Sequence, residues 1–232
     1  MIKMNHKKSK KLRKLLLFLK FPYVYLCSNM EDRILVKAAE MFLNLGFKSV
    51  TMDEIANELG VSKKTIYKYF SNKLSLVDAA TQLIHKELED KIQFIKSKGY
   101  NAIEEEFAIK AVFKEMLKNT KESPMYQLLK YYPDVHARLM VREERLFRDC
   151  KSDNLLNGIT QGLYRDNIEI KLIIKFYFTL IFEAFNSDLL AHDVSVFVEV
   201  EYKILEYHVR AIATEKGIKE LEKQLNINNQ NK

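Results

Sequence analysis

The segment VTMDEIANELGVSKKTIYKYFSNK, residues 50–73, decides the fold. Its first half carries Asp53, Glu54 and Glu58, whereas Lys63, Lys64, Lys68 and Lys73 follow Gly60 without an acid among them. One answer to two adjacent helices of opposite charge is that the second faces something negative and the first does not; the plainer one is a solvated lysine face. Thr51 precedes Glu54 by three, the spacing at which each side chain satisfies a free backbone N–H of the other, so a helix starts there and turns Ile55, Ala56 and Leu59 inward. Gly60 ends that helix, and Ser62 is placed to cap the next, Lys63 to Phe70. The interval from Ala56 to Gly60 to Ile66 is that of a helix-turn-helix: a small residue for close approach, a glycine for the tight turn and a branched residue to fill the space between helices.

Working outward, Ile34, Leu35, Ala38, Met41, Phe42 and Leu45 follow helical spacing from Glu31 until Gly46 supplies a stop. On the A-x-x-x-F-x-x-x-G-F first helix, the T-x-x-x-I-A-x-x-x-G-V-S segment and the T-I-Y-x-Y-F-x-N-K end, residues 33–79 resemble the DNA-binding region of the TetR/AcrR family of bacterial transcriptional regulators. The resemblance covers about a fifth of the chain. It implies an all-α protein: an N-terminal three-helix DNA-binding head and a larger helical domain that binds an effector and dimerises. Carried over residue by residue, it implies that Lys63, Lys64, Thr65 and Lys68 lie nearest the base edges and that Tyr67 and Lys73 anchor phosphates; Thr51 sits where the family often touches a phosphate, although its capping role is enough to explain it. Tyr69 could face DNA or the core, and Ile66 and Phe70 belong to the core. The edge carrying Asp53 and Glu54 is expected to face away from the nucleic-acid backbone.

The net charge of +7 over 232 residues is unevenly spread. Residues 1–30 hold seven lysines and Arg13 with no acid, which leaves the remainder near −1, so bulk basicity is a poor guide to partners and local charge decides. The basic start and apolar run of KKSKKLRKLLLFLKFPYVYLC resemble a signal peptide, yet Lys20 and Pro22 interrupt the run and no small-x-small site follows. Met30 directly precedes a well-formed helix start. The functional chain is expected to begin there, with residues 1–29 an upstream translation artefact; the other reading is a basic arm that touches phosphates or a membrane surface. Cys27 and Cys150 are too few and too far apart for a disulfide framework, which fits a reducing cytoplasm.

Six glycines, three prolines and long periodic segments predict further helices at about 73–95, 101–119, 124–131, 134–163, 169–189 and 195–214. The expected division is a head over 30–76, an effector-binding and dimerisation domain over 77–222, and a frayed polar tail over 223–232. Leu172 to Phe185 is apolar on nearly every side, which the resemblance explains by burial in a four-helix interface between two subunits; Phe178, Ile181, Phe197, Ile204 and Leu205 are its candidate residues. Phe107, Tyr126, Tyr131, Phe147, Tyr164, Phe176, Phe182 and Glu183 are candidates for an effector pocket, set against the plainer role of core residues.

No phosphate-binding glycine loop, nucleophile elbow or dinucleotide fingerprint occurs, and the five histidines form no close ligand pair, so neither an enzyme nor a metal or other cofactor is expected. The expected partners are duplex operator DNA, a second copy of the chain and a small hydrophobic effector, with no membrane. The competing reading is a helical hydrophobe-binding protein whose head is a relic and whose basic start holds a membrane.

Overall fold

The computed structural model describes residues 29–118, 120, 123–186 and 194–230. The expectations for residues 1–28 and for the loop before residue 194 lie outside them. Ten α-helices make up the described chain: α1 (Met30–Leu45), α2 (Met52–Leu59), α3 (Lys63–Tyr69), α4 (Lys73–Lys96), α5 (Ala102–Leu117), α6 (Pro124–Tyr131), α7 (Pro133–Thr160), α8 (Ile170–Asn186), α9 (Val194–Ile212) and α10 (Glu215–Asn229).

The ends of the first helices are written in the sequence. Asn29 Oδ1 accepts the Asp32 N–H at 2.8 Å and opens α1, and Gly46 closes it at φ +96°. At α2 the Glu54 N–H donates to Thr51 Oγ1 at 3.2 Å while the Thr51 N–H donates to Glu54 Oε2 at 2.7 Å, the reciprocal cap its spacing predicts. Gly60 takes the left-handed turn at φ +65°, and Ser62 Oγ accepts the Thr65 N–H at 3.1 Å to start α3. Asn72 and Ser75 cap α4 in the same reciprocal way.

Ile34, Phe42, Phe47, Ile55, Ala56, Ile66, Leu76 and Val77 pack into one apolar core under α1 to α4. Fully burying side chains of this size stabilises the fold by roughly 1.5–3 kcal/mol each. Leu128 of α6 and Val135 and Leu139 of α7 belong to the same cluster, so the head is welded to the helices that follow. The expected boundary at 76/77 falls inside α4, which serves both parts. A second core joins α5, α7, α8, α9 and α10 around Ile103, Leu155, Tyr177, Leu205 and Leu221.

The C-terminal segment departs from expectation. Instead of a frayed tail from 223, α10 continues to Asn229, because Leu221, Gln224 and Leu225 recur at helical spacing and pack inward. Its start is latched by Thr214, whose N–H donates to the Leu163 carbonyl at 2.9 Å and whose hydroxyl donates to the Gly162 carbonyl at 2.7 Å. A Cβ on Gly217 would stand 2.1 Å from the Leu163 carbonyl oxygen, so only glycine permits this close a seat. Leu74, at the start of α4, is half exposed.

Candidate nucleic-acid interface and internal cavity

The turn between α2 and α3 is closed by the Val61 N–H donating to the Ala56 carbonyl at 3.0 Å and the Gly60 N–H to the Asn57 carbonyl at 3.1 Å. With Ile66 fully buried beneath it, α3 is held rigidly across the head and its opposite face is outward. Lys63, Lys64, Tyr67 and Lys68 are exposed on that face, Thr65 is half-buried, and Tyr69 packs partly against the core. A helix of this width enters the major groove of duplex DNA, where its outer side chains meet base edges and its flanks meet phosphates.

The lysines are not equivalent. Lys64 and Lys68 lie one turn apart, and neither makes an ion pair among the described residues. Lys63 Nζ is bound to Asp53 Oδ2 at 2.7 Å, and that hydrogen bond raises its pKa. Asp53 thus reaches the first residue of α3, because the tight turn brings the first turns of α2 and α3 side by side. Lys73 is half-buried and donates to the Lys48 carbonyl at 2.9 Å; burial lowers its pKa. Its ammonium therefore braces the loop between α1 and α2. Thr51 is exposed and is engaged in its cap with Glu54.

Behind the head, α4 to α8 enclose a cavity of about 210 Å³. Leu43 and Phe47 of the head and Leu128 of α6 form one end; Ile109, Phe113, Leu146 and Phe147 form the middle; Glu105, Glu106, Lys110, Lys151 and Glu201 bring charge to the other end. Lys110 Nζ lies 2.7 Å from Glu201 Oε1, and Lys151 pairs with Glu106. Burial lowers the Lys151 pKa and raises that of Glu105, whose Oε1 accepts the Asn154 amide at 2.9 Å. His85 Nδ1 meets Glu143 Oε1 at 2.7 Å on the same wall. Cys150 also lines it, with its thiol pushed up to about 11 by burial, so it is a neutral apolar group there.

Of the residues expected at a pocket, Phe147 and Phe182 line this cavity. Phe107 is buried against Tyr202 and Tyr164 is buried beside Asn154; both fill the second core. Tyr126 and Tyr131 sit half-buried on α6, the latter under the Lys48 ammonium at 4.8 Å. Phe176 and Glu183 are exposed on α8, so no buried carboxylate needs explaining there.

The residues expected at a subunit interface divide too. Ile181, Phe197 and Leu205 are buried within the chain, and Ile204 packs partly against the same core. Phe178 turns into the cavity, stacked on Phe182 at 5.6 Å and edge-on to Phe147 at 5.2 Å. The outer apolar face is instead Leu172, Phe176 and Leu180 on α8, four residues apart, with Val196 and Tyr207 on α9. Helical phase explains the exchange: Lys171, Lys175, Thr179 and Glu183 mark the outward side of α8 at four-residue spacing, and packing selects which apolar flank of that stripe is covered.

Little in the sequence marks the cavity's charged residues. Glu105, Glu106 and Lys110 lie in AIEEEFAIKAVF and Lys151 in a stretch of alternating charge, patterns that read as solvated faces. The one local signal was that Glu106 and Lys110 occur amid apolar residues at helical spacing. Among the described residues no group of acids, histidines and cysteines is arranged to hold a metal ion, and no helix is long and apolar enough to cross a membrane.

Residues 34–80 match the family model described as bacterial regulatory proteins, tetR family. The chain is similar to the HTH-type transcriptional regulator YvaF of Bacillus subtilis, 26% identical over 143 residues that span 58% of this chain and 75% of the relative. It is likewise similar to the HTH-type transcriptional regulator SrpR of Pseudomonas putida, 27% identical over 62% of this chain and 68% of the relative. Its fold is shared by SCO4454, a TetR-family transcriptional regulator from Streptomyces coelicolor, with a TM-score of 0.63 at 18% identity over 83% of this chain and 96% of that one.

Proposed function

We propose, for a chain that belongs to the TetR family of bacterial transcriptional regulators, that it represses transcription as a homodimer on a palindromic operator and is released by a small effector. The observation that carries the DNA-binding role is the outward face of α3, where Lys64 and Lys68 stand unpaired among the described residues on a helix that Ile66 locks into the head. Residues 30–76 then act as the reading head and 77–222 as the effector and dimerisation domain. Lys64, Lys68 and Thr65 read base edges, with Lys63 held back by Asp53. Tyr67, Thr51 and Lys73 serve the phosphate flanks. No catalysis is assigned to the chain, and its place of action is the cytoplasm.

Dimerisation is assigned to the exposed stripe Leu172, Phe176 and Leu180 with Val196 and Tyr207. Two heads reading a palindrome must be held about one DNA turn, roughly 34 Å, apart or a multiple of it, which a helical interface can enforce.

Coupling between cavity and head is supported by the shared wall. Leu43 and Phe47 line the cavity from the head's side, and the loop they flank is gripped by the Tyr132 hydroxyl, which donates to the Phe47 carbonyl at 3.4 Å. A guest that pushes α6 outward disturbs that grip and shifts the population toward dimers whose heads do not match the groove spacing.

Selection of bound sequences from random duplex DNA by the full chain tests the proposal. A palindromic consensus, bound with a steep salt dependence, is the expected result. Recovery of no preferred sequence would overturn it.

A further inference from the structure

We propose that the cavity selects an organic cation, a protonated amine or quaternary ammonium on an aromatic or aliphatic body, and seats its charge against Glu105. This rests on the reading of the cavity as the effector site.

Four glutamates line the cavity, Glu105, Glu106, Glu143 and Glu201, against two lysines, Lys110 and Lys151. Both lysines are already engaged, Lys110 by Glu201 at 2.7 Å and Lys151 by Glu106. Glu143 faces His85 at 2.7 Å. Glu105 differs: it is 7% exposed, and its hydrogen-bond partner is the neutral Asn154 amide at 2.9 Å. Lys96 and Lys151, whose fields reach Glu105, are themselves bound to Asp153 at 2.5 Å and to Glu106. A buried carboxylate with no ion-pair partner among the described residues is costly when ionised, and its raised pKa, caused first by desolvation and then by Glu106, expresses that cost.

An anionic guest would have to break a buried lysine–glutamate pair and leave a glutamate without its cation. A cationic guest brings the charge that Glu105 lacks and breaks nothing. The rings alongside accept cations on their faces: Lys110 Nζ lies 5.6 Å from the centre of Phe113 and Lys151 Nζ 5.6 Å from that of Phe147. Apolar walls from Leu88 to Leu146 would take the guest's body.

Isothermal titration of the full chain with 4-phenylbutylammonium, 4-phenylbutanol and 4-phenylbutyrate holds the body constant and varies the charge. The expected order is amine tightest, by about tenfold over the alcohol, and carboxylate weakest. In Glu105→Gln, which keeps an acceptor for Asn154, the amine's advantage over the alcohol should vanish, with the thermal transition confirming the fold. Equal or tighter binding of the alcohol or the carboxylate to the unmodified chain overturns the proposal, as does an advantage that survives in a folded Glu105→Gln protein. The titrations on the unmodified chain decide the sign even if the variant does not fold. Tight amine binding that leaves an operator complex intact would refute the effector reading while supporting the charge preference.

Discussion

Lys63 Nζ lies 2.7 Å from Asp53 Oδ2, tying the first residue of the reading helix to the first turn of the helix before it. Both side chains are about half exposed, so the pair adds little to stability, but it decides where a positive charge points. Asp53→Asn should free Lys63 for a phosphate. Affinity for duplex DNA should rise, and the dependence of log K on log salt should steepen by about one unit. Fluorescence anisotropy across a salt series measures both, and an unchanged slope would show that Lys63 stays clear of DNA even when released.

Lys73 is expected to act twice. Its bond to the Lys48 carbonyl braces the loop between α1 and α2, so Lys73→Met should lower the unfolding free energy by about 1 kcal/mol. Its charge at the head's flank should make affinity fall for every DNA sequence alike rather than change preference. Denaturant titration and operator binding read the two roles separately. Weaker DNA binding at unaltered stability would assign Lys73 to phosphate alone.

Phe176 and Leu205 should respond in opposite ways to the same charge. Phe176 is 56% exposed and Leu205 is 0% exposed. Phe176→Glu should yield a folded monomer in sedimentation that no longer binds its operator specifically. Leu205→Glu should fail to fold, since an unpaired carboxylate in that core costs at least ~3 kcal/mol. A folded Phe176→Glu dimer would move the interface to another face.

His208 is stacked on Tyr177, ring centres 4.0 Å apart, and burial together with Lys151 and Lys110 lowers its pKa from 6.5 to about 3. Below pH 6.5 the unfolded chain gains a proton that the folded chain refuses. Stability present above that pH is therefore lost as the pH falls toward 3, each unit of displacement being worth about 1.4 kcal/mol. His208→Phe keeps a ring for the stack and removes the titration, so its melting temperature should fall less steeply than that of the unmodified chain between pH 6.5 and 4. Parallel slopes would mean that His208 titrates as an open histidine does.

Residues 29 to 73 could be read almost completely from the sequence. Their signals are local: caps at Thr51 and Ser62, a left-handed glycine at 60, and Ala56 and Ile66 at a fixed interval across one turn. Each acts within a few residues, so the chain order itself carries the geometry, and the outward lysines follow from the inward Ile66. The resemblance to the TetR family came with them.

The cavity and the exposed apolar stripe of α8 were decided by tertiary structure. The polar residues Lys171, Lys175, Thr179 and Glu183, four apart, mark the outward side of α8, but whether Phe178 on one flank of that stripe or Phe176 and Leu180 on the other are covered was settled only when its neighbours docked. The charged end of the cavity is further from sequence reach. Lys110 finds Glu201 across 91 residues and Lys151 finds Glu106 across 45, so each looks like a surface residue in its own helix. Such pairs exist only once α5, α7 and α9 are brought together, since burial cost and Coulomb attraction depend on distance in space and not along the chain.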